Sequence, residues 1–477
     1  MNYRSSGKLF LIFLLGCTVS KAQSPWTLQQ CIDYALEHNL QVKQSDLTMQ
    51  SSKTQVDQSI AGFFPSLNGS ASHNYYYGRS IDPYTNAYAN QQVQSNSFGL
   101  SSSISIFEGL QLQNTLKQSR LSYLGSQYDL KKIRNDIALN VVTAYLQVVY
   151  TREIFSFTTD LVGASRIQRD KIKRMMELGS VSKGNLLEME SQLAADETRL
   201  AQAQSSADQA MLTLTQLLEL DSTKNFTVES PVVSVPPVNA DMMNADIIYA
   251  AALTNQPDIK AAEYKLEAAK KGLSISRGAL YPRLFASGNL STSYSTSSKE
   301  VTSYNIGIPS TSFSGFTSGG DSVYSIVPNV TPNLEQTPFR DQLDNNLGKS
   351  VGFTLQVPLF NGWATRSSIK RSKINLEQSR LGYEMTKKNL FKSVQQAVLD
   401  AMSAYRQHEA TQKSVAAMEE AFAYSQQKYD LGLISSYDYL QAKNNLAKAK
   451  ADLLQAKFDY IFRLKILDFY QGKPLTF

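Results

Sequence analysis

Strict alternation of side chains over residues 97–106 limits the folds open to this chain more than any other feature. Every even position from Phe98 to Ile106 is Phe, Leu, Ser or Ile, whereas every odd position from Ser97 to Ser105 is Ser or Gly. A period of two predicts a β-strand with one apolar face and one face of small polar groups. The apolar face would suit the core of a soluble protein, and it would equally suit lipid with water behind the strand.

Four segments of the chain have this character, and none of them contains Lys, Arg, Asp or Glu, although 18% of all residues are charged. These segments are residues 65–77, 97–107, 284–294 and 350–359. Each has about the 9–11 residues that a tilted membrane strand needs. A cation that faces lipid at the bilayer midplane costs about 2–4 kcal/mol. The absence of charge therefore favours membrane strands over the half-buried strands of a soluble sheet.

Four strands are too few to close a membrane barrel. An open sheet edge cannot lie in lipid, because its backbone N–H and C=O groups would have no hydrogen-bond partners. Other copies of the chain must then supply the missing strands, and closed rings are the usual arrangement of identical chains. Two copies would give eight strands, which side chains can fill, and three would give twelve with room for a lumen. Because the Ser and Gly face indicates water inside, we expect three copies.

The chain contains the same pattern twice. "ALEHNLQVK" (35–43) matches "ALTNQPDIK" (252–260) at a shift of 217 residues, and "ELGSVSKGNLLEME" (177–190) matches "DLGLISSYDYLQAK" (430–443) at a shift of 253 residues. The additional residues of the second copy fall between Leu284 and Leu359, in a Ser/Thr/Gly-rich segment. That composition predicts a long mobile loop. We therefore predict an internal two-fold duplication with one enlarged loop.

Each repeat predicts the same order of elements: helix, strand, loop, strand, very long helix, tight turn and helix. Gly109 and Gly362 end the second strands, and roughly 68 residues without proline follow each of them, about 100 Å of helix. Narrow apolar seams with a 3–4 spacing predict coiled-coil packing of these helices. We predict a signal peptide (1–22), repeat 1 (23–228), a linker (229–243), repeat 2 (244–470) and a C-terminal tail (471–477). Repeat 1 contains strands about 65–77 and 97–107, a long helix about 110–178 and a return helix about 182–219. Repeat 2 contains strands about 284–294 and 350–359, an extracellular loop about 295–349, a long helix about 363–431 and a return helix about 436–468.

The first residues predict export. Arg4 and Lys8 precede the apolar run "LFLIFLLGC" (9–17), and small residues follow, which indicates a secretory signal cleaved after Ala22. Nine apolar residues are too few to span a bilayer as a helix. The alternative is a lipoprotein signal in which "LLGC" is the lipobox and Cys17 is acylated. The leucine before the Gly-Cys pair is unusual at that position, and this favours cleavage after Ala22.

Composition argues against several classes of function. The formal net charge of +6 falls to +3 once Arg4, Lys8 and Lys21 are removed, which is too small to favour nucleic acid. Only Cys31 then remains, so no intrachain disulfide is expected. The three histidines are scattered, and neither a phosphate-binding Gly loop nor G-x-S-x-G nor H-E-x-x-H is present. We therefore expect no metal, no cofactor and no enzymatic activity.

Four local patterns resemble the TolC-type outer-membrane efflux protein family, and the similarity extends over the whole mature chain. The patterns are "LQQCIDYALEHN" (28–39), "YPRL" (281–284), "VPLFNG" (357–362) and "KYDLGLISSYDYLQAKNNLAKAKADL" (428–453). The resemblance implies a membrane α+β protein in the outer membrane of a Gram-negative bacterium. It implies a homotrimer with a twelve-stranded β-barrel surrounded by outer-membrane lipid. A long periplasmic α-helical barrel would continue that β-barrel.

The same resemblance implies a function as a passive exit duct of a tripartite efflux or secretion system. An inner-membrane pump of the RND or ABC type and a periplasmic adaptor protein would load the duct, which opens at its periplasmic end. The alternative from another class is a long coiled-coil periplasmic or surface protein with a structural or interaction role and no channel. That alternative predicts charged residues on one face of the strands, and the strand segments contain none.

The family constricts its periplasmic end with a ring of aspartates, and the resemblance assigns the first of these positions to Asp438. Gln441 occupies the second position, which leaves a single ring of charge. Tyr429 and Asn185 match family positions that hold adjacent helix pairs together in the closed state. A competing interpretation makes Asp438 a helix N-cap or a first-turn acid that the helix dipole favours. The preceding serines, 435 and 436, are alternative caps.

Both helical turns are candidates for contact with the adaptor. A glycine in each turn lets the chain reverse, and we expect the residues beside it to be exposed at the tip. An exposed Leu-Ile pair that faces only water would otherwise have no explanation. The candidate contact residues are Gly179, Ser180 and Val181 in the first turn and Gly432, Leu433 and Ile434 in the second.

Overall fold

The fold is that of a computed structural model, which describes residues 25–81, 86–89, 92–221, 226–230, 235 and 244–474. The predicted signal peptide with Cys17 lies outside the described residues, as do most of the predicted linker and the end of the predicted tail. The chain divides into two compact units. Unit 1 falls within residues 1–50, 125–263 and 382–477, and unit 2 within residues 51–124 and 264–381.

Helices account for most of the described residues. Two of them, α3 and α8, have 67 residues each. The helices are α1 Leu28–His38, α2 Leu40–Ala61, α3 Gln111–Glu177, α4 Lys183–Leu217, α5 Ala245–Asn255, α6 Pro257–Gly278, α7 Phe339–Asn345, α8 Ala364–Asp430 and α9 Ser436–Gln471.

The strands all lie within unit 2, and four of them form its main sheet. They are β1 Ser66–Tyr76, β2 Ser80–Ile81, β3 Tyr88–Ala89, β4 Val93–Glu108, β5 Arg283–Ser295, β6 Lys299–Ile306, β7 Ser310–Phe316, β8 Ser322–Val327, β9 Val330–Gln336 and β10 Gly348–Gln356. The main sheet has the order β1-β4-β5-β10, with every neighbouring pair antiparallel. Strands β1 and β10 are therefore its two edges.

The segment predicted as an extracellular loop, residues 295–349, contains four strands and one short helix. It forms two antiparallel ribbons, β6 with β9 and β7 with β8, followed by the short helix α7. These strands were not anticipated from the sequence because the prediction of a loop rested on the high content of Ser, Thr and Gly. Alternate positions of the same segment carry Val, Ile, Tyr and Phe, and these β-branched and aromatic residues at a period of two favour strands.

The N-terminal helix packs into the first core of unit 1, together with parts of α3, α4 and α9. A capping box between Thr27 and Gln30 starts α1. The Tyr145 hydroxyl donates to the Glu229 carbonyl at 2.6 Å. Cys31 is fully buried in this core, and burial raises the pKa of its thiol to about 12. Its neutral thiol is therefore a packing group and not a reactive one.

The second core of unit 1 joins α5 to α8 and to the end of α9. Ile248 of α5, together with Val394 and Ala401 of α8, is fully buried there. Small and β-branched residues at these positions let the helices approach closely, as in a coiled coil. Much of the remaining surface of α8 is exposed and polar.

Candidate functional site

The main sheet of unit 2 has two chemically different faces. Residues directly opposite each other on neighbouring antiparallel strands point to the same face. The register aligns Gly69 with Leu100 and Leu100 with Leu290, so the faces of the strands coincide across the sheet. The first face, called the apolar face below, carries Leu67, Ala71, Tyr75, Phe98, Leu100, Ile104, Leu284, Ala286, Leu290, Tyr294, Val351, Phe353 and Leu355, interspersed with small or polar residues and with one charged residue, Lys349, which lies at the start of β10 and is aligned with Leu290.

The opposite face of the sheet, called the polar face below, consists mostly of Ser, Gly, Asn and Thr. One row across it aligns Ser70 with Gly99, Gly99 with Ser291, and Ser291 with Gly348. Such small groups leave space for water and cannot form a hydrophobic core. One face of the sheet thus suits an apolar environment and the other suits water.

The apolar face is uncovered in the single chain. The side chains of Val351 and Phe353 are 81% and 71% exposed. The backbone groups on the outer sides of β1 and β10 also have no neighbouring strand in the sheet. An exposed face of this kind next to two open edges is a binding surface for further strands and for an apolar solvent.

Polar and charged groups lie near the ends of the strands. Near one end of the apolar face, the His73 ring is hydrogen-bonded to Asn96. It also makes an edge-to-face contact with the Tyr75 ring, with the ring centroids 4.6 Å apart. At the opposite end of the sheet, Glu108 of β4 is aligned with Arg283 of β5, and this pair lies on the polar face. An apolar band between polar margins is also the pattern of strands that span an outer membrane.

The two helical turns of unit 1 are built in the same way. Gly179 and Gly432 have φ angles of +74° and +73°, a left-handed conformation that glycine adopts without steric cost. The N–H of Gly179 donates to the Met176 carbonyl, and the N–H of Ser180 donates to the Met175 carbonyl. This pair of bonds is a Schellman motif. The second turn has the same pair of bonds, with Tyr429 and Lys428 as the acceptors.

A serine begins the return helix in both turns. Ser182 caps α4 and Ser435 caps α9, each three residues after the turn glycine. We call residues 178–182 and 431–435 the first and second tip. The shared Leu-Gly-x-x-Ser sequence therefore specifies one turn geometry in both tips: a left-handed glycine that ends one helix and a serine that starts the next.

Apolar residues pack the two tips together into one cluster, which we call the tip cluster. Its buried members are Ile172, Leu186, Met189, Tyr439 and Leu440, with Met175, Met176, Val181, Phe422, Tyr429 and Ile434 packed against them. The cluster includes residues from α3, α4, α8 and α9. It holds the two helical hairpins of one chain together at this end.

Asp438 lies in the first turn of α9, where it completes a capping box. Its backbone N–H donates to the Ser435 hydroxyl at 3.1 Å, and the Ser435 N–H and hydroxyl donate to its carboxylate at 3.4 and 2.7 Å. This is the local role that the competing interpretation predicts. The side chain is nevertheless exposed, and Gln441 is exposed one turn further along α9. The carboxylate is therefore held in one orientation while its charge remains at the surface.

The other two predicted gate residues lie at different depths. Tyr429 stacks on Tyr439 with ring centroids 4.6 Å apart, and burial raises the pKa of both phenols, so both stay neutral. Asn185 is in the first turn of α4, where its side-chain carbonyl accepts from the Ser182 hydroxyl at 3.2 Å. Tyr429 thus belongs to the tip cluster, whereas Asn185 belongs to a helix cap.

The residues beside the turn glycines were expected to be exposed, and only some of them are. Val181 and Ile434 are half-buried because they pack against the tip cluster, whereas Ser180 and Leu433 are exposed. Two leucines that the sequence analysis did not single out, Leu178 and Leu431, are 81% and 74% exposed. The signal that could have identified them is the Leu-Gly pair, which occurs in both tips.

Two polar contacts join the hairpins next to the tip cluster. The Ser436 hydroxyl, which is buried, donates to the Glu188 carboxylate at 2.6 Å. Lys171 donates to Asp430 at 3.3 Å. The second contact is between exposed side chains and contributes little. The first connects α9 to α4 through a charge-assisted hydrogen bond.

A buried polar network lies further from the tips and connects three helices. The carboxylate of Asp196 on α4 is fully buried and accepts from the Ser165 hydroxyl on α3 at 2.6 Å. Lys443 of α9 donates to the same hydroxyl at 2.7 Å, and burial lowers the pKa of its ammonium group. Gln192 and Asn444 exchange two hydrogen bonds of 3.0 Å. The network fixes the register of α3, α4 and α9.

Within the described part of the chain, no group of His, Cys, Asp and Glu side chains is arranged to hold a metal ion. No described helix combines the length and the apolar character that crossing a bilayer requires.

A family model described as "Outer membrane efflux protein" matches residues 31–219 and 248–469 of the chain. The outer membrane efflux protein BepC of Brucella suis is 22% identical over 464 residues, which cover 94% of this chain and 86% of BepC. The outer membrane protein OprJ of Pseudomonas aeruginosa is 22% identical over 426 residues, which cover 88% of this chain and 78% of OprJ. The crystal structure of the outer membrane protein VceC of Vibrio cholerae matches with a TM-score of 0.74 at 14% identity, covering 94% of this chain and 96% of VceC.

Proposed function

Because the chain belongs to the outer membrane efflux protein family, and is thus an outer-membrane protein with the general role of an efflux channel, we propose that it is the passive exit duct of a tripartite efflux or secretion system. Three copies form one duct. Their twelve main-sheet strands close a barrel in the outer membrane, and their long helices continue it as an α-helical barrel in the periplasm. An inner-membrane pump and a periplasmic adaptor supply the substrate.

The two-faced sheet with open edges is the observation that carries this proposal. Lipid covers the apolar face, and the polar face lines an aqueous lumen. Strand β10 of one copy pairs with β1 of the next, which satisfies the backbone groups of both edges. A twelve-stranded ring leaves a lumen, whereas an eight-stranded ring is filled by side chains.

Conduction through the duct is controlled at the helical tips. Three copies of Asp438 form one ring of negative charge, which attracts cations and repels anions. The capping box supports this role because it fixes the carboxylate without burying it. Because the uncharged Gln441 occupies the second position, there is only one ring of charge.

We expect Asp438→Asn to reduce the preference of the open channel for cations. An asparagine at this position keeps a side-chain oxygen for the Ser435 N–H and removes only the charge. One unit charge at about 4 Å in water favours a cation and disfavours an anion by about 1 kcal/mol each, so the cation-to-anion permeability ratio should fall at least about fivefold. Reversal potentials across planar bilayers in a salt gradient measure this ratio.

Ser435→Ala is the matched control for this experiment, because it removes the cap and leaves the charge. The control should keep the wild-type ratio. An Asp438→Asn channel with unchanged selectivity would show that the carboxylate only caps α9.

The Ser436–Glu188 hydrogen bond supports a latch that keeps the tips closed. Opening requires the two hairpins to move apart, which breaks this bond and divides the tip cluster between them. A hydrogen bond to a charged group contributes about 1.5–3 kcal/mol. This latch uses Ser436 and Glu188. Tyr429 and Asn185, which match the family positions that hold helix pairs together, contribute instead to the packing of the tip cluster and to a helix cap.

Ser436→Ala should therefore increase the fraction of time that the channel is open. Ser425→Ala is the matched control, because the Ser425 hydroxyl donates only within its own helix, to the Ala421 carbonyl at 2.9 Å. Single-channel recordings in planar bilayers measure the open fraction of each variant. Equal open fractions for the two variants would show that the Ser436–Glu188 hydrogen bond does not keep the tips closed.

The adaptor contacts the exposed surface of the two tips. Ser180 and Leu433 lie on that surface, together with Leu178 and Leu431. Val181 and Ile434 support it from inside the tip cluster. Gly179 and Gly432 set the turn geometry that presents it. No described residue of the chain covers these exposed apolar side chains, as a binding partner would.

A further inference from the structure

A long ribbon extends from the end of the main sheet that carries Tyr75 and Tyr294. It comprises residues 299–336 and is called the arm below. Strands β6 and β9 form its first half, and β7 and β8 form its second half. The Gly307 N–H donates to the Asn329 carbonyl at 2.8 Å and makes the two halves continuous.

Each half of the arm has one face that carries most of its large apolar side chains, although Val323 and Val327 lie on the opposite face of the second half. In the first half the register aligns Val301 with Leu334, Tyr304 with Pro332, and Ile306 with Val330. In the second half it aligns Phe313 with Tyr324 and Thr311 with Ile326. The apolar faces of the arm therefore carry Val301, Tyr304, Ile306, Val330, Leu334, Phe313, Phe316, Tyr324 and Ile326, all of them at least 45% exposed.

These faces need a covering partner. A two-stranded ribbon by itself is marginally stable in water. A contiguous apolar patch beyond roughly 300–600 Å² is unusual on a monomer and marks an interaction site. Asp321, in the turn at the far end, is the only charged residue between Val301 and Leu334. The other charged residues of the arm, Lys299, Glu300 and Glu335, lie at its base, so the rest of its surface fits an apolar partner.

The base of the arm is fixed to the sheet by Gln342 of α7, which is almost fully buried. Its side-chain carbonyl accepts from the Ser295 N–H at 2.8 Å, and its amide donates to the carbonyls of Ser295 and Thr337 at 3.0 and 2.8 Å. Ser295 pairs with Ser95 of β4 on one side, and Gln342 binds its backbone on the other side, which β10 does not reach because it begins opposite Ser291. The arm therefore leaves the sheet at the same place in every copy.

We propose that the apolar faces of the arm are buried against neighbouring copies of the same chain, outside the membrane at the mouth of the duct. This inference rests on the trimer of the proposed function. The arm is inserted between β5 and β10, and β10 is an edge strand that pairs with the next copy. The arm thus emerges beside the boundary between copies and continues that interface. The neighbouring copies in a trimer are also always available as a partner when the arm folds.

Photo-crosslinking in intact cells tests this contact. The photoreactive residue p-benzoylphenylalanine replaces Tyr304 in one variant and Phe313 in a second, both of which retain a large aromatic side chain. The matched controls carry it at Asn305 and Ser312, which lie on the opposite faces of the same strands. After irradiation we expect covalent multiples of this chain, whose uncleaved mass is 53.0 kDa, with a several-fold higher yield at Tyr304 and Phe313 than at the controls.

Three outcomes would overturn the proposal: equal yields on the two faces, adducts with a different protein, and adducts with lipid alone. The mass of each unirradiated variant in mild detergent is measured in parallel. Trimers without cross-links between arms would reject the arm contact and leave the proposed duct intact. Monomers would reject the duct itself.

Discussion

Phe353→Arg should abolish the assembly of the protein into the outer membrane. Phe353 lies in the central part of β10, on the apolar face, where we propose that lipid covers it. An arginine that faces lipid near the midplane costs about 2–4 kcal/mol per chain, and a ring of three copies repeats this cost three times. The amount of heat-sensitive oligomer in outer-membrane fractions, compared with wild type on a gel, measures the effect.

Thr354→Arg is the matched control, one residue away on the polar face. An arginine there faces the aqueous lumen of the proposed barrel, so the oligomer should form in nearly normal amounts. Equal loss in both variants would indicate a sheet buried on both sides. Equal assembly of both would indicate a sheet with water on both sides. Either result would contradict the assignment of the two faces.

The combined change Leu431→Asp with Leu433→Asp should abolish contact with the adaptor while trimers remain intact. Both side chains are at least 70% exposed at the second tip, and burying one leucine contributes about 1.5–3 kcal/mol. Three copies lose this contribution at six positions and gain six charges. Cross-linking in intact cells, followed by mass spectrometry, measures the yield of the covalent complex with a periplasmic adaptor protein.

Gln427→Asp controls for added charge, because Gln427 is exposed one turn before Leu431 on α8. This variant should retain the complex. Ile434→Asp would be a poorer choice for testing the contact, because Ile434 packs against the tip cluster and its loss would disturb the tip itself. An undiminished complex in the double variant would place the docking surface elsewhere.

Local patterns were sufficient to predict the faces of the strands and the family. Alternation around Phe98 and Phe353 assigns one side of each strand to apolar groups, and the register of the sheet brings those sides together. The predicted resemblance to TolC-type efflux proteins is confirmed by the match of the family model. These features depend on a period of two and on a few turn motifs, and both are visible in any short stretch of sequence.

Features that depend on packing between distant residues could not be predicted in the same way. The burial of Val181 and Ile434 depends on residues of four helices that meet in the tip cluster. Gln342 gains its role only because β10 ends short of Ser295. Asp438 shows the opposite difficulty: its sequence context fits both a cap and a charged ring, and the observed capping box leaves the carboxylate available for either.

The mass of the purified protein in mild detergent tests the central claim most directly, since every proposed role depends on a ring of three chains. Multi-angle light scattering, corrected for bound detergent, measures this mass without reference to any substrate. We predict three times the mass of the mature chain, and material that precipitates when the detergent is removed. A monomer in detergent, or a protein that is freely soluble without it, would contradict the account.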